Sequence, residues 1–188
     1  MTNTQMADNL PPLKGNFLVT YILGKLVNMI CDCEMVQREN INEMEQYPFV
    51  TFTWIEPEKE TTTDWLGENR QYLCHLQLDV HATKPLEAQA LAEKIFVALH
   101  EDAFRRLFKQ ANIVPQEITN TSNRTTMIGI NYDQDYGFDC SFLVNRGQEF
   151  KEKDLDWSVD QETITSITAN NLLTQKGVNA FKKEEENG

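Results

Sequence analysis

The sequence is poor in long apolar runs, and this shortage excludes a membrane-spanning helix. The longest apolar candidate, Phe17 to Cys33, is interrupted by Thr20, Gly24, Lys25 and Asn28. A transmembrane helix needs about 20 predominantly apolar residues in succession. The first five residues also lack the basic and apolar regions of a signal peptide. We therefore expect a protein that has no membrane segment and is synthesised in the cytoplasm.

The sequence also has few of the motifs that carry chemistry. It contains no glycine-rich phosphate loop, no Gly-x-Ser-x-Gly elbow and no His-Glu-x-x-His motif. Its three histidines, His75, His81 and His100, lie near no cysteine or serine in a recognisable nucleophile motif. The sequence therefore predicts no enzyme, and it assigns no catalytic, cofactor-binding or metal-binding residue.

One polar cluster keeps an alternative open. His75, Asp79 and His81 share the polar face of a predicted strand, and no other arrangement resembles a metal site. Residues four apart in a strand are separated by about 13 Å, so two of them need a third element to bind one ion. The alternative hypothesis is a small-ligand or metal-dependent enzyme that uses these three residues.

Basic charge is scarce. The chain has 29 acidic and 17 basic residues, which gives a net charge of −12. Tight binding to nucleic acid needs a basic surface that neutralises phosphates and releases counterions. The charge therefore opposes tight DNA or RNA binding. It indicates either a surface kept soluble by self-repulsion or an acidic face that repels DNA.

The four cysteines are expected to be reduced and structural. Cys31 and Cys33 are too close in sequence for the usual spacings of a zinc site. Cys74 and Cys140 fall on the apolar phases of predicted strands, where free cysteine packs as a small hydrophobic residue.

Hydrophobic periodicity predicts helices and strands along most of the chain. A first helix is capped by Asn16 and ends near Cys31, and a second begins at Pro85 and ends near Gln110. Asp133-Gln134-Asp135 is the predicted turn of a hairpin. The predicted strands are Phe49 to Ile55, Gln71 to Ala82, Arg124 to Tyr132 and Tyr136 to Asn145.

This order predicts an α+β fold with an antiparallel or mixed β-sheet flanked by two main α-helices. The elements follow the order α-β-β-α-β-β and precede a C-terminal extension. A chain of 188 residues is long enough for one well-buried domain. The predicted division is a flexible N-terminal lead over residues 1–15, an α+β domain over 16–147, a C-terminal extension over 148–181 and a disordered tail over 182–188.

The connection between the first two predicted strands, Glu56 to Asn69, is unusually long for a hairpin loop. It places an apolar pair, Trp65 and Leu66, among polar residues. Either this loop contacts another chain or Trp65 folds back on its own domain. The candidate contact residues are Glu58, Lys59, Glu60, Asp64, Trp65 and Leu66.

The proline-led strand Tyr47-Pro48-Phe49-Val50-Thr51-Phe52 is the closest fit to a known family. It resembles a strand of the neck and tail-terminator proteins of long-tailed bacteriophages, the family that completes the tail and joins it to the head. The strand Leu76 to Ala82, the helix Leu86 to Leu107 and the closing strand Gly137-Phe138-Asp139-Cys140-Ser141-Phe142 follow in the family's order. The resemblance covers roughly residues 16–147, and the stretch after Gly147 departs from it.

The resemblance implies a non-enzymatic, hexameric ring in the virion, at the junction between the head connector and the tail tube. Such a ring caps the tube and joins it to the connector proteins, and it is made in the host bacterial cytoplasm. Genome DNA passes through its bore without specific binding, and an acidic bore favours this passage by repelling phosphates. A head-connector or tail-tube subunit is the alternative within the same structural class.

Overall fold

A computed structural model describes residues 12–43, 47–61, 71–128 and 131–158. Its helices are α1 (Gly15–Cys31), α2 (Pro85–His100) and α3 (Asp102–Gln110), with short 3₁₀ turns at Arg38–Glu43 and Glu152–Asp154. Its strands are β1 (Met35–Gln37), β2 (Phe49–Glu60), β3 (Gln71–Ala82), β4 (Ile113–Ile118), β5 (Ser122–Asn123), β6 (Thr126–Ile128) and β7 (Asn131–Asn145). The predicted α+β class is confirmed.

The strands form a mixed sheet with the order β1-β2-β3-β7-β4, and β5 and β6 also pair with β7. Among the described strands, β1 runs parallel to its neighbour, β2, and the other pairs are antiparallel. The pair of β3 and β7 is continuous from Gln71 opposite Asn145 to Ala82 opposite Gln134. This long central pair holds the sheet together, because each of the other strands is joined to it directly or through β2.

One face of the sheet packs against the helices and forms the core. The predicted alternation of β3 is confirmed on this face, since every second side chain is buried: Tyr72, Cys74, Leu76, Leu78 and Val80. Phe138 and Phe142 of β7 are buried beside them. Phe142 stacks on Phe108 of α3 with ring centroids 5.1 Å apart. A period of two along both strands therefore places the apolar set on the helix side.

The segments at the two ends of this unit are joined to each other. Leu13 and Phe150 exchange backbone hydrogen bonds of 3.0 and 2.9 Å, and Leu13 is buried. Lys25 of α1 pairs with Glu152 at 2.9 Å. The chain divides after Asp156 into two units, and only residues 157 and 158 of the second are described. The boundaries predicted from the sequence, 15, 147 and 181, stay predictions.

Asn16 is not the cap of the first helix. That helix begins at Gly15 after Lys14, and the Asn16 side chain instead joins α1 to the sheet. Its amide nitrogen donates to the Pro57 carbonyl at 2.8 Å, and its amide oxygen accepts from the Tyr72 hydroxyl at 3.0 Å.

The predicted second helix is two helices. Glu101 adopts an extended conformation (φ −74°, ψ 141°), which ends α2 and starts α3. The new direction lets Phe104 and Phe108 of α3 reach the core, where both are buried.

The predicted hairpin turn is also wrong. β6 ends at Ile128 and β7 begins at Asn131, so Asp133-Gln134-Asp135 lies inside a strand. Asp135 is buried there beside His81. β2 is also longer than predicted, because it continues past Ile55 to Glu60 through two register shifts.

Candidate functional site

Asp79 of β3 is buried and lies at the centre of an ionic cluster whose arginines are partly exposed. One carboxylate oxygen accepts from Arg38 at 3.1 Å and the other accepts from Arg124 at 3.2 Å. The Gln77 amide also donates to this carboxylate. Arg124 makes a second ion pair with Asp139 at 2.8 Å. The cluster therefore joins the segments before β2 and before β6 to the central strands.

His81, two residues further along β3, belongs to a separate buried network. Its Nδ1 lies 2.7 Å from an Asp135 carboxylate oxygen, and its Nε2 lies 2.8 Å from the Thr51 hydroxyl. Nδ1 is thus within ion-pair distance of the Asp135 carboxylate, and the tautomer of the ring sets the direction of the hydrogen bond between Nε2 and the Thr51 hydroxyl. The Phe49 ring stacks on the imidazole at 4.7 Å.

Hydroxyl, imidazole and carboxylate follow one another as in a nucleophilic triad, but all three groups are buried here. Thr51 is 0% exposed, His81 1% and Asp135 2%. A nucleophile must reach a substrate carbonyl or phosphate, and the Thr51 oxygen lies inside the fold with no path to one. The network instead joins β2, β3 and β7 by their side chains.

The three residues of the predicted polar face are thus not one site. Asp79 and His81 are held in different networks, and His75 is half-buried and takes part in neither. Within residues 12–43, 47–61, 71–128 and 131–158, no group of three histidine, cysteine, aspartate or glutamate side chains is placed to hold a metal ion. The two guanidinium groups around Asp79 also oppose a cation there, because they repel positive charge.

The cysteines are free thiols, as predicted. Burial raises the pKa of Cys74 to about 12 and that of the half-buried Cys31 to about 11. These thiols pack against the core and are poor nucleophiles, because the reactive thiolate is scarce at neutral pH.

The candidate contact residues are described only in part. Glu58, Lys59 and Glu60 form the exposed end of β2, whereas Asp64, Trp65 and Leu66 lie outside the described residues. Glu58 pairs with Arg146, which also lies 4.0 Å from Glu60. Lys59 lies 3.7 Å from Glu56. This end of β2 therefore presents several charged side chains to solvent.

A second surface feature, missed by the sequence analysis, lies at the opposite edge of the sheet. α3 and the edge strand β4 enclose a groove of about 370 Å³. The groove is lined by two basic side chains of α3, by the start of β4 and by two asparagines beside them: Arg105, Lys109, Asn112, Ile113, Val114, Pro115 and Asn145. Proline in an apolar run is typical of an edge strand, and Ile113-Val114-Pro115 carried this signal.

No described helix is long and apolar enough to cross a membrane. A comparison with curated proteins finds no significant match. A scan against family models matches residues 18–175 to the family described as phage neck terminator protein. The match continues past Gly147, so the expected departure after that residue is wrong for the stretch up to 175. Because the match spans most of the 188 residues, the chain belongs to the phage neck terminator protein family.

Proposed function

We propose that this protein forms a hexameric ring in the phage neck, where it caps the tail tube and joins it to the head connector. The observation that carries the proposal is the family match over residues 18–175. Membership of this family makes the protein a structural component of a bacteriophage neck, which assembles with other virion proteins. The ring, its number of subunits and its neighbours are the proposed part.

The charge of the chain supports a bore through which DNA slides. A net charge of −12 per subunit gives any closed ring a strongly negative field. An acidic bore repels phosphates and prevents the counterion release that drives DNA binding. Genome DNA therefore passes through without specific binding.

The exposed end of β2 and the loop that follows it supply contacts to a neighbouring subunit or to the tube. Glu58, Lys59 and Glu60 form the described part of this element, and Asp64, Trp65 and Leu66 complete it. Deleting residues 62–70 and closing the gap with glycine and serine tests the role. We expect monomers that fail to enter particles. Intact rings and infectious particles from the deletion would contradict it.

The ring itself is tested by the absolute mass of the purified protein. Light scattering across protein and salt concentration gives the mass, and negative-stain imaging gives the shape. We expect closed rings of about six subunits, populated more strongly as concentration rises. A closed ring with a number of subunits other than six would correct that number alone, whereas an open filament would contradict a closed ring.

Two alternatives make different predictions. A head-connector or tail-tube subunit would appear in a different layer of the particle, which labelling of the chain in assembled particles detects. An enzyme that uses His75, Asp79 and His81 would lose activity in His75→Ala and would retain a metal or small molecule in mass spectrometry. The buried, arginine-paired state of Asp79 disfavours this second alternative.

A further inference from the structure

The sheet has two edges that end without a described neighbour. β1 pairs with β2 only at residues Val50 to Phe52. Among the described residues, no strand pairs with the outer edge of β2 from Thr53 to Lys59, where two register shifts fall and the Pro57 carbonyl accepts from Asn16, and none pairs with the outer edge of β4. An open strand edge exposes backbone donors and acceptors, and proteins either protect such edges or use them to bind another chain.

These two edges lie at the same height in the sheet. The register connects Glu60 of β2, through Tyr72 and Val144, to Ile113 of β4. Six residues earlier in β2, the register connects Trp54, through Leu76 and Cys140, to Ile118. The part of β2 that β1 leaves open is therefore level with the whole of β4.

The strand directions allow the two edges to pair between copies. β2 is antiparallel to β3, β3 to β7 and β7 to β4, so β4 runs antiparallel to β2. A rotation about an axis roughly along the strands brings β4 of one copy beside β2 of the next as an antiparallel pair. This contact is head-to-tail, the kind that closes into a ring when the rotation fits.

The charges on the two edges are complementary. Arg105 and Lys109 line the groove beside β4, and neither makes an ion pair within the described part of the chain. Beside the open edge of β2, Glu56 and Glu58 pair with Lys59 and Arg146 of the same chain, and their side chains stay 40% and 41% exposed. Opposite charges at two protein surfaces steer association and fix its register.

Each edge also exposes one apolar side chain. Ile55 of β2 is 54% exposed and Val114 of β4 is 50% exposed. Pairing of the edges would cover both. Pro57 and Pro115 each lack a backbone donor, which keeps the shared ladder short and disfavours uncontrolled stacking.

From this geometry we infer that the groove and open edge of β4 are the docking site for the open edge of β2 of a second copy of this chain. The inference rests on the proposed ring and names the two surfaces that build it. Lys59 connects through Leu73 and Leu143 to Val114, so a continuous sheet places Lys59 of one copy opposite Val114 of the next.

A charge exchange tests the inference. The first variant carries R105E and K109E, and the second carries E56K and E58K. Alone, each variant places like charges on both sides of the contact, and we expect its self-association constant to fall at least tenfold. An equimolar mixture restores opposite charges at every contact, so we expect assemblies of alternating subunits.

The matched control carries K84E and K153E, which change the same amount of charge at exposed positions outside β2, β4 and the residues that line the groove. We expect it to assemble like the unaltered chain, and circular dichroism checks that every variant is folded. Assembly of both edge variants alone, or failure of the folded mixture to assemble, overturns the inference.

A cysteine pair tests the register without altering the charges of the groove. Lys59→Cys in one chain and Val114→Cys in another should form a disulfide-linked dimer on mixing, at least tenfold faster than Glu93→Cys with Val114→Cys. Equal rates in the two mixtures overturn the inference.

These results separate the interface from the function. Rings that persist without cross-linking would overturn the interface and leave the proposed neck role standing. A chain that stays monomeric at every concentration would also overturn the interface, whatever its place in the particle. Cross-linked rings from a chain absent from phage particles would support the interface and contradict the neck role.

Discussion

Asp79 of β3 and Gly137 of β7 are cross-strand partners, and the Asp79 side chain occupies the space above the glycine. A Cβ at Gly137 would lie 2.1 Å from an Asp79 carboxylate oxygen and 2.3 Å from the Leu78 carbonyl oxygen. The absence of a side chain at Gly137 therefore lets Asp79 accept from Arg38 and Arg124 inside the fold.

Gly137→Ala is expected to destabilise the protein, because the backbone of β3 cannot move away from the new methyl group. The cost of such overpacking is about 1–3 kcal/mol, measured as a shift of the urea midpoint with an unchanged slope. Gly24→Ala is the control, and we expect it to stabilise the protein. Its Cβ would meet Met35 at an ordinary 3.5 Å, and alanine in a helix gains about 0.5–1 kcal/mol over glycine. Equal stability of both variants would contradict the packing described for Gly137.

Asp79→Asn tests the ionic cluster itself. The amide removes the negative charge and replaces one of the two accepting oxygens by an NH2 donor that faces an arginine. We therefore expect a loss of about 1–3 kcal/mol in the free energy of unfolding. Arg38 and Arg124 remain 42% and 22% exposed at their side chains, and their contact with water limits the loss. Asp139→Asn removes a partner that is 36% exposed and should cost less than about 1 kcal/mol. A larger loss from Asp139→Asn than from Asp79→Asn would contradict the central role of Asp79.

The thiols are expected to resist alkylation in the folded protein. Burial raises the pKa of Cys31 to about 11 and that of Cys74 to about 12, and it raises the pKa of Cys140 well above its usual value. Little thiolate is present at pH 8, so a timed reaction with iodoacetamide should label Cys31 first and slowly. All four cysteines should react once urea unfolds the chain. Rapid labelling of Cys74 in the native protein would contradict its place in the core.

Glu152 should give the protein an acid-sensitive contact. Hydrogen bonds from Lys25 and Tyr21 lower the pKa of this carboxyl below its usual 4.5. A lowered pKa means that the stabilisation is fully present above about pH 4.5 and is lost as the pH falls through the folded value. Unfolding in urea at several pH values should therefore show unaltered protein more stable than Glu152→Gln at pH 7, with a difference that shrinks in acid. Glu149→Gln removes the exposed pair with Lys14 and should change little at any pH. A difference for Glu152→Gln that is constant down to pH 3 would count against the contact.

The central strands could be predicted from the sequence because their periodicity and their burial agree. Leu76 and Leu78 of β3 and Phe138 of β7 occupy the core face, where an alternation of period two reports burial directly. The edge strand β4 could not be predicted in this way. It is short, carries Pro115 and buries only Ile113 fully. It therefore has too few apolar positions to show an alternating pattern.

The polar face of β3 misled the sequence analysis for a physical reason. Asp79 and His81 are 1% exposed, and their partners Arg124 and Asp135 lie 45 and 54 positions later in the chain. A single strand does not show that these charges will be paired and buried. Asp133-Gln134-Asp135 has the composition of a turn for the same reason, since aspartate is typical of turns.

Helix propensities do not predict the break at Glu101. The sequence from Pro85 to Gln110 contains no glycine and no internal proline, and both halves are good helix formers. The turn arises from packing, because Phe104 and Phe108 are both buried in the core. Local propensity thus predicted the helices but not the angle between them.

Electron microscopy of particles from a phage that encodes this chain, after deletion of its gene, tests the neck role most directly. The account predicts DNA-filled heads and free tails that stay separate, and addition of the purified protein to the mixed lysate should join them into infectious particles. The R105E, K109E variant should fail in this assay, and the K84E, K153E control should succeed. Joined, infectious particles from the deletion mutant without added protein would contradict the account.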